Sequence, residues 1–242
     1  MNIIQIDPNK RSNRKAFIQF PFDLYKTTPQ WVPPLRMDMR KILSPRHPFY
    51  TYGEAALLLA KDKRDEVVGR LAVANNHRYN QFHKSKTAFF YYFECIDDQA
   101  VADGLFAKGF KWAKEQGLNH VLGPKGLTVL DGFGMLVKGF AYQPAFGQAY
   151  NPSYYPEMIE NIGFAKVKDV FTARLDRSIE FPEKILRAAR LVEKRMGFTA
   201  PNITTKAELR EVIADFKMLY NESLAGPAGN APLTDEDMDH MV

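Results

Sequence analysis

Residues 151–171 read NPSYYPEMIENIGFAKVKDVF. The run YYPEMIEN predicts a short helix. Gly163 and Phe164 predict a turn, since glycine tolerates the backbone angles a tight reversal needs. AKVKDVF then predicts a strand that returns to a core and ends near Leu175. Helix, turn and strand in this order close a unit in which both element types share one core, so an all-helical or all-strand fold is excluded.

Upstream, residues 54–62 (EAALLLAKD) and 66–76 (EVVGRLAVANN) predict two strands joined as a hairpin by the charged turn KRDE. Residues 87–97 (TAFFYYFECID) predict a third, strongly aromatic strand. The spacing then becomes helical over 98–117: Val101 and Leu105, and Ala102, Phe106, Phe110 and Ala113, recur at three and four. Asp98 is placed to cap this helix and Gly117 to end it. HVLGP (120–124) predicts a short buried strand, parallel to the third because a helix connects them. A long Gly-rich stretch separates it from residue 151, and structureless stretches of this length are usually functional or interfacial. Nearer the start, AFIQFPFDLYK (16–26) predicts a strand end leading into a helix. The Pro-rich TTPQWVPPLRMD is expected to be held by Trp31. The fold class is α/β (α+β): a mixed, mostly antiparallel sheet flanked by helices.

Toward the C-terminus, residues 176–196 predict a charged amphipathic helix, 197–205 a strand-like segment and 206–224 another helix. LYKTTPQWVPPLRMDM (24–39) is echoed by LYNESLAGPAGNAPLTDEDM (219–238). Both read Leu-Tyr, a turn-rich gap, Pro-Leu, then acidic residues and Met. On this echo the chain divides into a first unit at 1–176, a bridging helix at 177–196 and the start of a second unit at 197–242. Thr234 and Asp237 are placed to cap a helix that Val242 cuts off, which suggests truncation of a longer chain.

The 242 residues suit one large or two modest domains, and 45% apolar residues with 18 Phe and 11 Tyr supply a sizeable core. The single cysteine, Cys95, excludes an internal disulfide and a cysteine-cluster zinc site. His77 and His83 are six apart with no acidic cluster nearby, so no metal is expected. No run approaches a spanning helix, and a cytoplasmic protein with no membrane partner is expected. The formal charge of +5 keeps anionic partners open, but the basic residues are scattered without interleaved aromatics, which argues against nucleic acid.

The element order resembles the GNAT superfamily of acyl-CoA N-acyltransferases, through VVGRLAVA, WAKEQG before a strand, and EMIENIGFAKVKD. The stretches FPFDLYKTTPQWVPPL, HPF, GRLAVANN, GPKG and YNPSYYPEMIENIGF resemble a bacterial branch with two such units in tandem. The resemblance covers about residues 10–175 and, in part, 183–242.

It implies acetyl-CoA or a longer acyl-CoA as co-substrate, lying where strands 87–97 and 120–124 part, and an amine as acceptor. It also leaves a homodimer open. The superfamily's pyrophosphate loop, Q/R-x-x-G-x-G/A, falls on Asp97, Asp98, Gln99, Ala100, Val101 and Ala102. Asp97 stands where Gln or Arg is expected, and Ala100 replaces the first glycine. A carboxylate there repels phosphate, while a helix-capping role for Asp97 and Asp98 explains both residues.

Glu94, on the implied cofactor strand, is the candidate base, with solvent exposure as the alternative. Backbone N–H groups at Cys95 and Ile96 are candidate oxyanion donors. The superfamily's acid is a tyrosine at the position of Ile159. Tyr155, one turn earlier, is the candidate substitute, and core packing is its alternative. Asn151 is the candidate polar contact beside the cofactor. A catalytically inactive copy of the fold is the alternative to an acyltransferase, motivated by the absent loop glycine and by Ile159.

Overall fold

The computed structural model describes residues 1–128, 131–174, 178–197, 202–225 and 230–241. Five strands pair among these residues in the order β1–β2–β3–β4–β5. β1 (Asn2–Gln5), β2 (Gly53–Lys61), β3 (Val67–Asn76) and β4 (Thr87–Cys95) are mutually antiparallel, and β5 (His120–Leu122) runs parallel to β4. This is the mixed, mostly antiparallel sheet that the sequence predicts. The β2–β3 hairpin closes on Asp62, whose Oδ1 accepts from the N–H groups of Arg64 and Glu66.

Helices cover both faces. On one lie α1 (Arg11–Leu24) and α2 (Arg36–Ile42). Their Phe17, Ile18, Met39 and Leu43 pack on Leu57, Leu59 and Ala72. On the other lie α4 (Gln99–Glu115) and α5 (Tyr155–Asn161). Val101, Leu105, Phe106, Met158 and Ile159 from these helices pack on Leu58, Leu71, Val73, Phe90 and Phe93. Asp98 caps α4 through Ala100 N–H at 2.9 Å, and Gly117 follows the helix with φ of 72°.

One irregularity decides which way the end of β4 faces. Arg70 pairs with Glu94 and Ala72 with Tyr91, so β4 carries one extra residue between matched positions. Tyr92 takes φ of 52°, and the rings of Tyr91 and Tyr92 lie 4.3 Å apart. This β-bulge reverses the alternation of side chains. Phe93 and Cys95 join the α4 core, and Tyr92 and Glu94 turn toward α1.

Several elements differ from expectation. Residues 11–24 are helical where a strand end was predicted from 16. Phe17, Ile18 and Pro21 are buried at helical spacing, with Tyr25 one turn further on. β1 is an added edge strand. HRYNQFH forms α3 (His77–His83), capped by the Asn76 side chain on Tyr79 N–H. The strand predicted after Gly163 does not form: residues 165–174 are exposed, Phe171 to 92%. No strand among the described residues pairs with it. Its expected end near Leu175 and the unit boundary at 176–177 lie outside the described residues, as do 198–201 of the strand-like segment.

The C-terminal portion holds α6 (Glu183–Met196), α7 (Lys206–Tyr220), a π turn at Asn221–Ala225 and α8 (Asp235–Met241). Thr234 and Asp237 cap α8 reciprocally, as the sequence suggests. Arg78 of α3 ties this segment to the sheet, reaching Asp237 at 3.1 Å and Glu236 at 3.2 Å while lying over the Tyr52 ring.

Candidate active site at the parting of β4 and β5

β4 and β5 pair only at Thr87–His120, Ala88–Val121 and Phe89–Leu122. Lys125 N–H then donates to Phe90 C=O at 2.9 Å, and beyond it β4 runs on without a β5 partner among the described residues. Gly123 sits at this point: a Cβ there would come within 2.5 Å of the Phe90 carbonyl oxygen.

Glu94 lies beside this parting. Its Oε2 accepts from Tyr25 O–H at 2.7 Å and from Tyr155 O–H at 3.0 Å. Its Oε1 faces Arg70 Nη2 at 3.7 Å. Arg70 is 3% exposed and the Glu94 side chain 12%. The solvent-facing alternative for Glu94 is therefore not what the structure shows. Burial raises the Glu94 pKa, opposed by Arg70 and by the hydroxyls of Tyr25 and Tyr155. Burial likewise lowers the Arg70 pKa, against the pull of Glu94. For both partners desolvation outweighs a pairing that is loose at this distance.

The anchor for Arg70 comes from an imperfection in α1. Pro21 has no N–H, so the helical bond from position 21 back to Phe17 C=O is missing. Arg70 Nη1 donates to that carbonyl at 2.8 Å. Tyr25 ends the same helix and stacks on the half-buried Trp31, ring centroids 4.8 Å apart.

Tyr155 reaches the site from the opposite face of the sheet. It is 1% exposed, and its ring packs on Phe93 at 4.9 Å. Its hydroxyl accepts from Cys95 N–H at 2.6 Å. Tyr154 O–H donates to the Cys95 carbonyl at 2.7 Å, and the Tyr155 O–H has two acceptors in reach, Glu94 Oε2 at 3.0 Å and the same carbonyl at 3.2 Å. Burial, then the Glu94 charge, holds the Tyr155 phenol well above its ordinary pKa. Burial, with Asp98 next, pushes the Cys95 thiol up to about 12, which keeps it an inert thiol.

The remaining candidates lie elsewhere or are engaged. Cys95 N–H is taken by Tyr155, and Ile96 N–H donates to Val68 C=O at 3.1 Å across β3, so neither faces the parting as a free donor. Asp97 is exposed beside the Asp98 cap. Ala100 and Ala102 belong to α4 rather than to a loop, and Ala102 is fully buried because it faces the core. Asn151 clamps the Gly-rich stretch: its Oδ1 accepts from Leu136 N–H at 2.7 Å, and its Nδ2 donates to the Leu136 and Pro152 carbonyls. His83 contacts Asn230 C=O through Nε2 and stacks near Tyr79. No group of three or more metal-ligating side chains occurs among the described residues.

Sequence reasoning names Glu94 and Tyr155 as candidates, which the structure brings together, and does not name Arg70, Tyr25 or Tyr154, which surround them. Arg70 leaves a signal, as the lone charge inside VVGRLAVA, because a cation buried in a strand must be paired. The arrangement is a desolvated carboxyl with a cation and two phenols around it, on the length of β4 that β5 does not pair.

No family model matches the chain. It is 26% identical over 232 residues to the Escherichia coli protein YghO, covering 96% of this chain and 58% of that one. It is 31% identical over 172 residues to the bacterial ceramide synthase of Caulobacter vibrioides, covering 70% of this chain and 44% of that one. The chain thus spans about half the length of these relatives. Among solved structures, a GNAT-family acetyltransferase of Staphylococcus aureus is similar with a TM-score of 0.38 and 18% identity, over 50% of this chain and 71% of that one.

Proposed function

We propose that this chain carries an acyl-CoA-dependent N-acyltransferase site. The observation that carries the proposal is Glu94, held in a desolvated setting by Arg70, Tyr25 and Tyr155 beside the parting of β4 and β5. The amine nitrogen attacks the thioester carbonyl, a C–N bond forms and the C–S bond breaks. Glu94 accepts the ammonium proton and Tyr155 donates one to the departing thiolate to give free coenzyme A; the Glu94 proton then passes to the Tyr155 oxygen along their 3.0 Å hydrogen bond, which returns both groups to their starting states. A raised carboxyl pKa suits a base working near neutral pH.

The likeness to a protein named ceramide synthase supports a long-chain amino alcohol as acceptor, since ceramide is the N-acyl derivative of such a base. Incubation with palmitoyl-CoA and sphinganine tests this by release of free thiol. Loss of that release in Glu94→Gln supports the role of Glu94. No thiol release with any acyl-CoA and amine pair removes the activity from this chain.

A second reading, a non-catalytic copy of the fold, is favoured by one specific observation: two tyrosine hydroxyls already occupy Cys95 N–H and C=O. A melting shift separates the two. Acyl-CoA at about 100 times its Kd stabilises a binding-competent unit by about 2.7 kcal/mol, enough for a shift of a few degrees. The inactive copy gives none.

We also propose that residues 197–242 begin a second copy of the unit. α1 and α7 both end in Leu-Tyr, at Leu24-Tyr25 and Leu219-Tyr220, and Pro-Leu precedes both α2 and α8. α1 buries Phe17, Ile18, Phe20 and Pro21 against the sheet, whereas α7 buries none of its residues. Such a copy would cover α7 with a sheet of its own. Expression of a longer parent chain, with hydrogen exchange read on α7, tests this: unchanged protection there counts against it.

A further inference from the structure

α6 is bounded by Pro182 and by Gly197, whose φ is 64°. Every residue from 183 to 196 is exposed. Ile185, Ala188, Ala189, Val192 and Met196 recur at three and four and so form one apolar stripe. Ile185 is 54%, Val192 45% and Met196 69% exposed. The helix carries five basic side chains, Lys184, Arg187, Arg190, Lys194 and Arg195, against two acidic ones, Glu183 and Glu193. At helical spacing Arg187, Arg190 and Lys194 fall opposite the stripe. Lys184 and Arg195 flank it, where long basic side chains can extend toward anionic groups while their stems lie along apolar surface. The 14 residues give a cylinder of about 21 Å. That is too short to span a bilayer, and no helix among the described residues is long and apolar enough to do so.

An apolar stripe with a surplus of positive charge matches a surface that is apolar beneath and anionic above.

We propose that α6 lies in the interface of an anionic lipid bilayer, with Ile185, Val192 and Met196 among the acyl chains and the basic side chains at the phosphate level. The expectation of no membrane partner rests on the absence of a spanning run, and an interfacial helix needs none. The inference stands apart from the proposed activity, although a lipid surface would also supply a long-chain amine.

The test is cosedimentation of the full chain with phosphatidylcholine vesicles, with and without phosphatidylglycerol, at low and high salt. Binding to the anionic vesicles only, weakened by salt, is expected. I185E/V192E together, and separately R187E/R190E, should each reduce it at least about tenfold. Both pairs lie on exposed positions, so far-UV circular dichroism and melting temperature should be unchanged. Thiol release with a water-soluble amine reads the acyltransferase proposal independently of vesicle binding. Unaltered vesicle binding in both variants overturns the inference. So does an absence of binding, whether the chain instead self-associates through this stripe in sedimentation equilibrium or exchange shows α6 protected within the monomer.

Discussion

Arg70 and Glu94 face each other across β3 and β4 in direct register, yet guanidinium and carboxylate stop 3.7 Å apart. The carboxylate is held more closely by two phenols than by its cation. Because burial raises the Glu94 pKa, the folded state holds a proton there more readily than the unfolded chain. Stability from this group is therefore fully present below the unfolded value and falls as pH rises from there through the raised one. Glu94→Gln mimics the protonated form. It should abolish acyl transfer, and its urea midpoint relative to the parent should rise from pH 4 to pH 7. A large loss of midpoint would show instead that the ion pair is a net stabiliser.

Removing the cation has the opposite effect. Arg70→Met leaves Glu94 buried without a positive partner and Phe17 C=O without its donor. A loss of about 3–5 kcal/mol in urea unfolding is expected. Glu94→Gln combined with Arg70→Met should recover part of it, because no buried charge then remains.

Tyr155→Phe separates packing from chemistry. The ring stays against Phe93, while Cys95 N–H and Glu94 lose the hydroxyl. Stability should fall by about 1–3 kcal/mol, the range for orphaning a buried polar group. A proton donor in the reaction would also show a fall in kcat with KM little changed. Unchanged kcat in a folded variant would leave Tyr155 a structural role alone.

Gly123→Ala tests the geometry of the parting. The new methyl meets the Phe90 carbonyl oxygen, a backbone atom that cannot rotate away. Destabilisation of about 1–3 kcal/mol is expected, and acyl transfer should fall with it as β5 is pushed from β4. Wild-type stability would show that the strands can separate further at no cost.

Arg78→Ala should release the C-terminal segment. Arg78 holds Thr234, Glu236 and Asp237 while covering Tyr52. Faster hydrogen exchange over residues 230–238 is expected, with little change in β2–β4. Uniform exchange in both proteins would assign the seating to apolar contacts such as Leu233, 4% exposed.

β2, β3, β4 and α4 were legible because each carries a long stretch rich in apolar residues. α1 was misread because FIQFPF alternates and contains proline, both of which mimic a strand boundary; burial of Phe17, Ile18 and Pro21 reveals the helical period. The strand after Gly163 was read from local pattern, but a strand also needs a neighbouring edge, which no local pattern encodes. Within the site, Glu94 stood out as a carboxylate among aromatics. Its partners did not: Tyr25 lies 69 residues away in sequence. Simple alternation from Phe90 would also have sent Glu94 into the α4 core, because an extra residue at Tyr92 leaves no compositional mark.

Pro21 is the residue that a redesign for heat resistance would replace first, since a good helix former there removes a recognised flaw in α1. The repaired helix would carry its own amide to the Phe17 oxygen, and the guanidinium now lodged there would have to share it. A more regular scaffold would thus grip its buried cation less firmly: the defect in the helix is the socket.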